Sequence, residues 1–179
     1  IRSGEWKTPT SGSASGYLQA NLVMLPAAEA FNFLLFCVRN PKPCPILAVL
    51  EPGQTEPIIA PGADLRTDLP RYKIFENGEF KTDVEDVSDY FDAGMVSFLL
   101  GCSFSFENAM LAAGLPIRNM EEEKNVSMYI TNKPCISAGP FSSRLVVTMR
   151  PMTPEQAVRA VQVTTRFHLT HGAPIHLGD

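Results

Sequence analysis

The sequence predicts an α/β protein with a mixed sheet and a smaller α+β insertion. Three observations carry that prediction. Apolar runs of strand length occur at Ile46 to Leu50, Met95 to Leu100 and Leu145 to Met149. Helix punctuation frames two longer segments, one opening at Pro26 and one at Thr153. Between them, Asn77-Gly78 gives the strongest short-range hairpin signal. Strands and helices thus alternate in some stretches and cluster as hairpins in others.

Residues 1 to 16 are rich in Ser, Gly, Thr and Pro and read as a surface segment. Tyr17 to Leu25 has strand-like stretches of mixed polarity. Pro26 suits the first helical position, where its missing N–H costs nothing, and the helix runs to about Arg39. Asn40 caps it, and Pro41, Pro43 and Pro45 prevent continuation. Ile46 to Leu50 reads as a buried strand and Pro57 to Ala60 as a second short one. Arg71 to Phe75 and Glu79 to Lys81 flank the hairpin turn, and Val87 to Phe91 is a short helix or turn. Met95 to Leu100 reads as a strand buried on both faces. Ser105 caps a helix over Phe106 to Ala113, which Gly114 closes. Val126 to Ile130 and Leu145 to Met149 are further strands. Thr153-Pro154-Glu155-Gln156 is a complete capping box for a helix to about Arg166.

The chain of 179 residues suffices for one domain, with 45% apolar and 19% charged residues. A net charge of -4 and the lack of a basic stripe argue against a nucleic-acid partner. No apolar run reaches the roughly 20 residues of a membrane span, so no membrane partner is expected. Cys37, Cys44, Cys102 and Cys135 are unevenly spaced without a CxxC pair, which suits free thiols in a reducing compartment. The chain opens in Ile, so a targeting peptide removed beforehand would leave no trace. It ends abruptly after His176 and Asp179, like a piece of something longer.

Four places could carry chemistry. The turn Gly101-Cys102-Ser103-Phe104-Ser105, at a strand end, would aim helix N–H groups at an anion. A thiol there has its thiolate favoured, so Cys102 is a candidate nucleophile, with a buried structural Cys as the alternative. Asn132, in Asn132-Lys133-Pro134-Cys135, could hold a carboxylate or simply turn the chain. Arg150, after a strand, could fork onto a substrate carboxylate or form a surface ion pair. Arg66 near Asp64 offers the same choice with poorer placement. In His171-Gly-Ala-Pro-Ile-His176-Leu-Gly-Asp179 the two imidazoles could move protons with Asp179 as orienter. A divalent metal on the same three residues is the alternative, but their spacing matches no established zinc motif. No cofactor is expected.

These motifs occur together and in order with Gly16-Tyr-Leu-Gln-Ala-Asn21, Arg39-Asn-Pro-Lys-Pro-Cys-Pro45 and Ala60-Pro-Gly-Ala-Asp-Leu-Arg-Thr-Asp-Leu-Pro70. The set resembles the D-glutamate cyclase family of hydro-lyases over nearly the whole chain. The resemblance implies a three-layer α/β/α sandwich with an inserted two-layer domain, expected within about residues 70–150 of a single 1–179 domain. Members continue past the last motif, so the resemblance also implies a missing C-terminal part. The implied activity is dehydration of D-glutamate to 5-oxo-D-proline, with a dicarboxylic amino acid as partner and an intracellular location. That location is cytoplasmic for a bacterial chain and the mitochondrial matrix for a eukaryotic one. Homo-oligomer formation is left open. On this reading Arg150 and Asn132 hold the α-carboxylate and Ser103 with Cys102 faces the γ-carbonyl. His171 or His176 moves the protons. A non-catalytic carboxylate-binding module is the competing class.

Overall fold

The computed structural model describes residues 1–178. In chain order the elements are β1 (Ala20–Pro26), α1 (Ala27–Arg39), β2 (Ile46–Val49), β3 (Tyr72–Glu76) and β4 (Glu79–Val84). Then come β5 (Met95–Gly101), α2 (Phe104–Ala112), α3 (Arg118–Glu121), β6 (Tyr129–Pro134), β7 (Arg144–Val147) and α4 (Pro154–Thr164). A 3-10 turn, His168–Thr170, follows α4.

The architecture is mixed α/β with three small antiparallel sheets. One has three strands in the order β1-β5-β2, and the others are the hairpins β3-β4 and β6-β7. A mixed sheet was expected; every strand pairing among the described residues is antiparallel.

β5 is the strand that organises the rest. Its run Val96, Ser97, Phe98 and Leu99 is buried, because the central strand is covered on both faces. Alternation sends Phe98 and Leu99 to opposite sides. Phe98 meets Phe33 of α1 edge to face at 4.9 Å, and Phe141 packs on Phe33 in turn. Leu99 joins Leu50 and Leu65, with Leu22, Met24 and Leu69 beside them. A second core holds α2 against α4 through Phe106, Met110, Ala160 and Val163, closed by Leu115 and Ile117.

Local chemistry sets most boundaries as read. Thr153 and Gln156 make a reciprocal capping box, with Pro154 in the first turn. Asn77 and Gly78 both take positive φ, 51° and 83°, as a type I′ hairpin turn requires. Asn40 caps α1 by donating to the Phe36 carbonyl.

Elsewhere the structure departs from the reading. Pro57 to Ala60 is a turn, closed by the Ala60 N–H on the Pro57 carbonyl, because prolines at 57 and 61 interrupt any ladder. α2 starts at Phe104, and the Ser105 hydroxyl bonds Gln19 instead of capping. β7 lies on a hairpin, so its apolar run alternates half-buried Leu145 and Val147 with exposed Arg144 and Val146. β6 is shifted towards the C-terminus of the expected strand and takes Asn132 into the hairpin. α3 had no counterpart in the reading.

Candidate active site

The C-terminal end of β5 gathers buried Gln19, Glu107 and Thr170. Gly101 closes the strand, and the Cys102 N–H donates to the Gln19 carbonyl at 3.0 Å. α2 then opens, and its first turn carries Glu107 wholly inside. Glu107 Oε2 accepts from the Ser11 hydroxyl at 2.7 Å, and Oε1 faces Arg150 Nη2 at 3.5 Å. Arg150 is itself only 17% exposed along its side chain. The pair is long for a hydrogen bond, so it is a loose ion pair beside a firm hydroxyl contact.

Gln19 forms the next wall. Its main-chain N–H donates to Ser105 Oγ at 2.7 Å, and its side-chain Oε1 accepts from Thr10 Oγ1 at 2.7 Å. Its Nε2 is buried with no partner among the described residues. An unpaired buried donor costs about 1–3 kcal/mol, so a ligand oxygen there would relieve it. Burial pushes the Cys102 thiol up, the Glu107 charge adds to this, and the Phe104 N–H and Asn21 amide pull it partly back. That direction opposes the favoured thiolate expected of Cys102.

The C-terminal segment crosses the same strand end. A Cβ on Gly101 would sit 2.0 Å from the Leu169 carbonyl oxygen, so only glycine admits the 3-10 turn there. His171 takes a left-handed φ of 78°, and its Nδ1 meets the Lys42 carbonyl at 2.9 Å. A carbonyl only accepts, so Nδ1 carries the hydrogen in this contact and Nε2 is left facing away from it. Lys42 Nζ donates to the Ala173 carbonyl, tying the segment down.

Cys102 and Arg150 are therefore brought to Glu107, Ser103 stands at the start of the same helix, and His171 follows the turn that covers Gly101. Asn132 and His176 are exposed, Asn132 on a separate hairpin. Arg66 is bound to Asp64 by two contacts of 3.0 and 2.7 Å, the ordinary ion pair that was its alternative. Asp179 lies outside the described residues. The sequence reading missed Glu107 and Ser11 as site residues. Glu107 was legible as the one charged residue of α2, Phe104–Ala112.

No helix is long and apolar enough to cross a membrane among the described residues. Comparison with known proteins follows the same lines. The family model described as D-glutamate cyclase matches residues 96–179. A protein of Syntrophobacter fumaroxidans named "Putative hydro-lyase" is 59% identical over all of this chain and 69% of its own length. A relative from Geobacillus kaustophilus is 58% identical and one from Stutzerimonas stutzeri 56%, each over the whole chain and 68% of its own length. Their shared hydro-lyase name supports a lyase-type enzyme. Residues from the strand end through the terminal histidines fall inside the family match, and relatives matched over the whole of this chain exceed half identity: this chain belongs to the D-glutamate cyclase family.

Proposed function

We propose that the chain closes D-glutamate to 5-oxo-D-proline. The α-amine attacks the γ-carboxyl carbon, a C–N bond forms, a C–O bond breaks, and one water leaves. The observation that carries the reading is the buried Glu107 carboxylate held between Ser11 and Arg150. Lactam formation needs an ammonium to lose a proton and a carboxylate to be held in a bent conformation. Glu107 accepts the ammonium proton, and Arg150 holds the α-carboxylate. The Ser103 N–H at the helix start stabilises charge on the γ-carbonyl oxygen, since the Cys102 N–H is already given to Gln19. His171 Nε2 carries the proton to the departing water. Cys102 serves in its thiol form as a lining group. Asn132 as a second carboxylate donor and His176 as a further proton carrier, with Asp179 as orienter, complete the assignment.

The same reading takes residues 1–179 as one domain with an α/β/α core and an inserted unit within about 70–150. The separation of the two hairpins from the three-stranded sheet supports it. A second reading, carboxylate binding without turnover, rests on Arg150 and the unpaired buried Gln19 amide, which could hold a carboxylate without moving a proton.

Chiral product analysis of the purified chain with D- and L-dicarboxylic amino acids separates the two. The expected result is 5-oxo-D-proline from D-glutamate. Glu107→Gln should lower kcat by about 10²–10⁴-fold, the range for losing a general base. Calorimetric binding of D-glutamate with no product would favour the module, and wild-type turnover in Glu107→Gln would refute the assignment.

A further inference from the structure

The reaction proposed above makes no use of a hollow beside the end of α1. A cleft of about 300 Å3 opens between the end of α1, the β6-β7 hairpin and the terminal segment. Arg39, Lys42 and Lys133 line it, and Leu145 and Ile175 add an apolar strip. No carboxylate lines it among the described residues. The chain carries net charge -4, and eight of its basic residues stand in ion pairs, yet none of these three does among the described residues. Arg39 and Lys42 are instead anchored on neutral carbonyls, of Ser137 and Ala173. Such contacts fix the cations without discharging them. Burial also holds the Lys42 ammonium below its ordinary range, the mark of a charge short of a counter-ion.

The frame is rigid before any ligand arrives. Asn40 is buried and bonds Ile136 twice, donating to its carbonyl and accepting from its N–H, both at 2.8 Å. Prolines 41, 43 and 134 stiffen the rest of the lining. A preformed, uncompensated cationic hollow of this size suits a small ligand with several anionic oxygens and a short apolar body.

We propose that this cleft binds a small organic dianion, at a site separate from the Glu107–Arg150 pair. A dicarboxylate and a phosphate ester share the needed chemistry. Titration calorimetry of the whole chain at low salt, with glutarate in one arm and glycerol phosphate in the other, tests it. Saturable one-to-one binding of either probe is expected, and the tighter arm identifies the source. Lys133→Gln and Arg39→Gln, both at exposed positions, should each weaken that binding about tenfold or more, as loss of one charge-assisted contact implies. Glu107→Gln should leave it unchanged. No saturable heat with either probe overturns the proposal. So does binding that survives both cleft variants, or that is lost in Glu107→Gln alone. Turnover of D-glutamate is a separate readout, so the cleft and the reaction can fail independently.

Discussion

Gly101→Ala tests the packing of the terminal segment on β5. The new methyl would meet the Leu169 carbonyl oxygen at 2.0 Å, with the Leu169 carbon and Thr170 Cα at 3.0 Å. Ordinary contact begins at 3.4 Å, so the carbonyl must retreat about 1.4 Å. The obstacle is backbone, which cannot swing aside as a side chain would. Thr170 beside it is 1% exposed, so the turn has little room to move. Overpacking against a fixed wall costs about 1–3 kcal/mol and more where nothing yields, and about 3 kcal/mol fits this case. For a chain of this size that lowers Tm by roughly 6–12 °C. A thermal melt followed by circular dichroism reads it. A variant melting within about 2 °C of wild type would show that the segment does not press on the strand end.

Three further outcomes follow from features already described. Thr153→Ala removes the capping hydroxyl of α4 and should cost about 1 kcal/mol in urea unfolding, whereas Val158→Ala, at an exposed site on the same helix, should cost far less. Hydrogen bonds from Arg66 and Arg2 hold the carboxyls of Asp64 and Asp68 below the ordinary range. Their folded pKa values lie below the unfolded ones, so their contribution is full above about pH 4 and is lost as pH falls through the folded range. Asp68→Asn should flatten that acid limb, and an unchanged slope would count against the pairing. Brief alkylation at neutral pH, mapped by peptide mass, should mark Cys44 first. The Cys37 hydrogen bond lowers the Cys44 thiol, whereas that same contact raises Cys37 and burial raises Cys102 and Cys135. Early labelling of Cys102 would contradict its buried setting.

Signals written in consecutive residues translated directly into structure. The capping box at Thr153, the Asn77-Gly78 turn and the apolar run of β5 each specify their own geometry within a few residues. Signals that depend on a distant partner did not. Ser105 has the chemistry of a cap, yet Gln19, far away in sequence, claims its hydroxyl. Leu145 to Met149 reads as an apolar strand, yet a hairpin leaves alternate side chains exposed. The candidate site follows the same rule. Position at a strand end singled out Cys102 and Arg150, whereas Glu107 becomes a site residue only once Ser11 and Arg150 fold onto it.

The leading arm has a role that its composition conceals. Thr10 and Ser11 sit in the Ser/Gly-rich stretch that protein engineers trim first. Here their hydroxyls grip Gln19 and Glu107. Shortening the arm past residue 11 would leave both hydrophobic clusters intact, since neither draws on it. The shortened protein would still fold around an acid robbed of its clamp, with the loss of the Arg2–Asp68 pair showing in its acid limb and the loss of Ser11 showing in turnover.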